Sequence, residues 1–173
     1  GDLGAMAWTA KYPSGRPAKE AKGGETDVPQ PLFVVITGDD RFDADPVNAW
    51  FPSMAGASNL TSPGGSAFAG RLPRAEADYA AFQGCIHQTV DCLFMREAEL
   101  LGVTVETVAA GETTPLFTHL YFTAPARAGL LQSAIDSPAF ERVYLEDGIH
   151  IYERQIEGRE VVRIEDIGSS GAL

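Results

Sequence analysis

Both cysteines of the chain, Cys85 and Cys92, fall in the segment GCIHQTVDC at positions 84–92, together with His87 and Asp91. A cysteine does chemistry as a thiolate, which requires partial exposure and a cation close by. Arg74, Arg96 and Arg127 are the available cations, and Arg96 shares a helical flank with the cysteines, so Cys85, Cys92 and Arg96 are the catalytic candidates. The plainer alternative makes both cysteines small buried apolar residues. His87 and Asp91 stand at i and i+4, where an imidazole can donate to a carboxylate for acid–base work or as half of a metal site. Ordinary solvent exposure accounts for the same spacing.

The scaffold for these residues is read from periodicity. Residues 73–102, PRAEADYAAFQGCIHQTVDCLFMREAELLG, predict one long central helix. Tyr79, Phe82, Ile86, Thr89 or Val90, Leu93, Leu100 and Leu101 recur at three- and four-residue steps along one stripe. Pro73 suits a first turn, Glu76 and Asp78 suit the positive N-terminal end, and Gly102 suits the stop. Gly84 costs about 1 kcal/mol against alanine inside a helix, so a close contact with a neighbouring element is expected there. On such a helix Cys85 and Cys92 are about two turns, roughly 10 Å, apart. A disulfide needs Cα atoms within about 7 Å, so the cysteines are expected to stay unpaired, which fits a reducing, cytoplasmic setting.

Elsewhere the pattern changes. Residues 1–31 read as an arm, with AWTAKY as a short strand and GDLGA at 1–5 as an added scar before Met6. LFVVIT at 32–37 predicts a strand buried on both faces. Asp39, Asp40, Asp43 and Asp45 invite a calcium reading but lack the required loop spacing. Asp45 is read instead as the N-cap of a short helix with Pro46 first and Trp50 and Phe51 packed inward. Residues 52–72 predict a long loop with a turn at Pro63-Gly64-Gly65-Ser66 and no phosphate-loop signature. Residues 103–108 and 116–123 alternate and predict an antiparallel hairpin, with His119 on the sheet surface. A second helix is expected over 125–136, ended by Pro138. Strands follow at 142–145, 149–155 (carrying His150) and 160–165, the last two facing across Glu157-Gly158. A tail closes the chain at 168–173.

The chain has 173 residues, 45% of them apolar and 21% charged, which suits one domain at 32–167 with a core of its own. Thirteen basic against 24 acidic residues leave a net charge of −11, so nucleic acid and anionic membrane are poor partners. No run approaches the roughly 18 apolar residues of a membrane span. The class expected is α+β, a mainly antiparallel sheet with helices collected on one side; no metal and no cofactor is assigned.

This order of elements resembles the OsmC/Ohr-type organic hydroperoxide reductases. The likeness covers about 84–151 and rests on GCIHQTVDCLFMREAELLGVTVETV and on LLQSAIDSPAFERV. It implies an intertwined homodimer with its active site at the interface, a peroxide-reducing thiolate on the central helix, and a cysteine before proline that resolves it. Here Ser137 stands before Pro138, which makes Ser137 a binding candidate beside His87 and Asp91. When the helix-terminal glycine is aligned to Gly102, the family's peroxidatic cysteine lies about one turn from Cys85 or Cys92. A weaker likeness, through VVITGDDRFDADP and His-Gln-Thr, is to the YjgF-type deaminases.

Three functions compete. One is a thiol protein that reduces organic hydroperoxides with an external thiol. Another is a non-catalytic small-molecule-binding or scaffold domain. The last is acid–base or metal chemistry by His87 and Asp91, with His119 or His150. A homodimer is expected under all three.

Overall fold

A computed structural model describes residues 31–62, 72–123 and 129–155, without the side chains of 72–75. The expected arm up to residue 30, the turn at 63–66, the strand at 160–165 and the tail lie outside these residues, as do the Arg74 side chain and Arg127.

Strand β1, Leu32–Ile36, is the core of the sheet: Phe33, Val34, Val35 and Ile36 are all buried, as the apolar run predicts. After it, the Asp45 side chain accepts from the Asn48 N–H and Pro46 opens helix α1, Pro46–Ala55. Gly56, at φ 61°, ends that helix. Phe51 packs inward, but Trp50 points outward and is 64% exposed, because the inner stripe runs through Val47, Phe51 and Ala55 instead. The chain then returns in β2, Ser58–Asn59, parallel to β1.

The long central helix is broken into three pieces. Helix α2 spans Leu72–Gln83, a 3-10 turn spans Gly84–His87, and α3 spans Val90–Leu101. Gln88 (φ −112°, ψ −163°) and Thr89 (φ −98°, ψ 171°) are extended, so the helical hydrogen-bond ladder stops there. A Cβ on Gly84 would meet nothing within 4 Å. The expected close contact is therefore absent; the glycine serves the break, where its missing side chain lowers the cost of leaving the helix. Gly102, at φ 69°, stops α3 as expected.

The hairpin expected over 103–123 does not form. Thr104 instead accepts from the Thr107 N–H and caps a short helix α4, Val105–Ala109; a local side-chain bond outcompetes the alternation. Strand β3, His119–Phe122, is a buried central strand, parallel to β1 and antiparallel to the last strand. Helix α5, Gly129–Asp136, leads through Pro138 to β4, Phe140–Glu146, and β5, Ile149–Arg154. These two close a hairpin over Asp147 (φ 51°) and Gly148 (φ 79°), the left-handed pair a two-residue turn needs.

The domain is thus α+β, with a five-stranded sheet in the order β2-β1-β3-β5-β4. The sheet is mixed rather than mainly antiparallel, since the β1 pairings are parallel and the β5 pairings antiparallel. Val34, Ile36, Leu120, Phe122 and Tyr152 meet α2, α3 and α5 on one face; Phe33, Val35, Tyr121 and Ile151 meet α1 on the other. No described helix is long and apolar enough to cross a membrane.

Candidate functional site: a stapled helix break and a cleft over Arg154

The break in the central helix decides the sulfur chemistry. The change of chain direction at the 3-10 turn and the two extended residues brings the Cα atoms of Cys85 and Cys92 to 5.6 Å, and the two are joined as a disulfide. The expectation of unpaired thiols is overturned, and the reducing compartment argued from it loses its premise. Both residues are buried, Cys85 fully and Cys92 to 4% exposure, among Phe82, Ile86, Leu93 and Leu130. Helix α5 braces the break from outside. The Val90 N–H donates to the Ser133 hydroxyl at 3.0 Å, and a Cβ on Gly129 would come within 3.1 Å of the His87 carbonyl.

The other residues singled out in the sequence scatter around this staple. Arg96 pairs with Glu99 at 2.9 Å, in a small groove that α3 shares with Asp78, Ala81 and Phe82 of α2. His87 ends the 3-10 turn and Asp91 begins α3, both exposed, so the i, i+4 helical relation between them is lost. Among the described residues no hydrogen bond joins them; Asp91 lies 3.4 Å from the Thr89 hydroxyl. The Ser137 hydroxyl accepts from the Ala139 N–H at 3.2 Å and shapes the turn into β4. It shares a shallow groove with Thr89, Gln132 and Ser133.

His119 is not on the sheet surface. It is 3% exposed, stacked on Phe33 with ring centres 4.8 Å apart, and its Nδ1 is 2.8 Å from the Thr118 hydroxyl. Burial pushes its pKa down to about 4. His150 is half-buried, and burial followed by the charge of Arg142 lowers its pKa.

A buried polar network occupies the C-terminal end of β1. The Asp45 Oδ2 accepts from the Thr37 hydroxyl (2.6 Å), the Asn48 amide (2.7 Å) and the Tyr79 hydroxyl (2.8 Å). Burial and the Asp45 carboxylate push the Tyr79 phenol well above its ordinary range. Gln83 accepts from the Thr37 and Gly38 N–H groups and donates to the Val35 carbonyl. Every one of these contacts is internal, so the network pins α1 and α2 to the sheet rather than presenting a reactive group. Among the described residues no group of acidic, histidine and cysteine side chains is placed to hold a metal ion.

The opposite end of the sheet carries a cleft of about 330 Å3, lined by Phe94, Val108, Thr113, Pro115, Pro138 and Arg154, with Ala109, Gly111, Ala139 and Gln155. Its floor is charged. Both carboxylate oxygens of Glu97 lie within 2.9 Å of one Arg154 nitrogen, and Glu97 also accepts from the Leu116 N–H. The guanidinium rests against two rings, 4.9 Å from the Phe94 centre and 4.8 Å from the Phe117 centre, a geometry in which the ring quadrupole attracts the cation. Neither Glu97 nor Arg154 was singled out in the sequence. The available signal was Glu97 four residues after Leu93 on the apolar stripe, and Arg154 in alternation with buried Tyr152. Charges at inward positions require a partner.

Comparison with protein-family models, with curated proteins and with solved structures finds no match for this chain.

Proposed function

We propose that this domain binds a small, largely apolar molecule in the cleft over Arg154, and that it does so without catalysis. One observation carries this reading: the apolar residues Phe94, Val108, Pro115 and Pro138 line a space together with the polar residues Arg154, Gln155 and Thr113. Small-molecule sites are concave, mostly apolar and roughly 300–1,000 Å3, with a few polar groups that fix orientation. Because Glu97 already neutralises Arg154, the site favours a neutral or weakly polar head over a strong anion. Indole and benzoate are suitable probes, read by amide chemical shifts. The expected result is saturable shifts at Val108, Ala109, Gly111 and Thr113, abolished in Thr113→Trp, with indole the tighter of the two. Saturation elsewhere, or shifts unchanged by Thr113→Trp, would remove the reading.

A second reading, reduction of organic hydroperoxides in the manner of the OsmC/Ohr-type proteins, is favoured by the sulfur pairing itself. Cys92 stands within bonding distance of Cys85 and so supplies the resolving thiol that Ser137 does not. In the reduced protein one sulfur would take an oxygen from the hydroperoxide and release the alcohol. The other sulfur would then displace that oxygen as water, forming the disulfide, which an external dithiol would reduce. Against it stands the burial of both sulfurs. Intact-mass measurement of the reduced protein with cumene hydroperoxide tests it: a loss of two hydrogens within seconds supports catalysis, and inertness until denaturation eliminates it.

A further inference from the structure

Three polar side chains share the helix-covered face of the β4–β5 hairpin. Arg142 stands directly opposite Tyr152 in the ladder, and His150 lies two residues from Tyr152 on the same strand face. Directly opposed residues of an antiparallel pair have Cβ atoms about 5 Å apart. The His150 and Tyr152 rings are parallel to within 1°, with centres 6.3 Å apart. On the β3 side the pair is walled by Phe122, opposite His150, and Leu120, opposite Tyr152.

What is unusual is the hydrogen-bond inventory. Tyr152 is 1% exposed, and among the described residues its hydroxyl meets the Arg142 side chain but no acceptor for its proton, while the buried Nδ1 of His150 has no partner. Buried polar atoms are paired in all but a few cases, and each exception calls for an explanation such as a bound ion or water. The third member, Arg142, reaches from the exposed edge strand, and among the described residues no carboxylate pairs with it, in a chain with 24 acidic and 13 basic residues. Its charge is felt by both neighbours: it partly offsets the burial that raises the Tyr152 phenol, and it adds to the burial that lowers His150.

We propose that Arg142, His150 and Tyr152 form a subsite for a small oxyanion, a carboxylate or a phosphate. One oxygen of the ligand accepts from the Tyr152 hydroxyl and the His150 Nδ1–H at the sheet surface, while a second pairs with the Arg142 guanidinium at the rim. A water molecule would satisfy the two buried atoms but leave the guanidinium without a counter-charge; an oxyanion answers all three. The site is separate from the cleft over Arg154 and does not depend on a ligand binding there.

The test is a titration of the full chain with sodium phosphate and with sodium acetate, against sodium chloride at matched ionic strength, followed by amide shifts. Saturable shifts at Arg142, His150 and Tyr152 are expected at millimolar phosphate or acetate and not with chloride; the stronger of the two names the ligand class. Binding should weaken at least tenfold in Arg142→Gln and in Tyr152→Phe. Tyr152→Phe removes a buried hydroxyl whose proton has no acceptor and whose one neighbour, Arg142, is exposed to water, so it should fold about as stably as the parent and keep the remaining spectrum in place. Linear shifts, equal shifts with chloride, or saturation undiminished in both variants would overturn the proposal.

Discussion

His119 illustrates how a single side chain ties stability to pH. Burial holds its folded pKa near 4, whereas the unfolded chain protonates near the ordinary value of about 6.5. Above that value both states are neutral and the stabilisation is complete. As pH falls from 6.5 towards 4 the unfolded state takes up a proton that the folded state refuses, and stability drops by on the order of 3 kcal/mol. Urea unfolding between pH 7 and pH 4 should therefore show a loss in the parent that is reduced in His119→Phe; the same slope in both would assign it to carboxylates. Asp45 is the second sensitive residue. Asp45→Ala leaves the Thr37 hydroxyl and the capped Asn48 N–H without their acceptor in the interior, while the Tyr79 hydroxyl keeps the Asp39 carbonyl and the Asn48 amide keeps the Val35 carbonyl. At roughly 1–3 kcal/mol for each unpaired buried group, the unfolding free energy should fall by about 3 kcal/mol or more.

At the scale of elements, the staple across the helix break has a calculable effect. A disulfide closing a loop of about eight residues removes chain entropy worth about 2.5 kcal/mol from the unfolded state. Reduction, or Cys85→Ser with Cys92→Ser, should lower the denaturation midpoint accordingly. The double variant should then be indifferent to reductant. Because Ser133 and Gly129 brace the same break, the fold should persist, with faster amide exchange over residues 84–92 as the sign of the missing clamp. Gly38 is a more severe position than its loop setting suggests. It has φ 77°, and a Cβ there would lie 2.8 Å from the Ile86 Cδ1. Gly38→Ala should cost more than the roughly 1 kcal/mol of left-handed strain alone, as read in thermal unfolding.

At the scale of the whole molecule, the Glu97–Arg154 pair joins α3 to β5 and, through the Leu116 N–H, to the segment entering β3. Removing one partner leaves a buried charge uncompensated, which typically costs about 3–5 kcal/mol. Glu97→Gln and Arg154→Met should each destabilise by that order. Glu97→Leu with Arg154→Met should lose much less than the sum of the single changes, since no orphan charge remains. A double-mutant cycle on unfolding free energies measures this coupling. Loss in the double variant equal to the sum would mean that the two charges act independently. The same cycle bears on the cleft, because Arg154 lines it and Glu97 holds Arg154 in place.

Much of the architecture is legible in the residues alone because it rests on short-range physics. The apolar run at 32–37, the Asp45-Pro46 cap, the Gly102 stop and the helix before Pro138 are set by neighbours within one or two turns, and each appears in the fold. The Asp147-Gly148 turn was equally available as a local signal, although the alternation beyond it drew the expected hairpin toward Glu157-Gly158. The break at residues 84–89 was not legible, since the apolar stripe runs through it without interruption. Only the packing of α5 against His87 and Val90, with a sulfur bond forming across the gap, makes two extended residues there cheaper than continued helix. Long-range pairing likewise decided that β3 entered the centre of the sheet and that Glu97 met Arg154 across 57 positions. Local chemistry thus determined most elements of this chain, while the fate of its cysteines and charges was decided by which distant segments the folded core brought into contact.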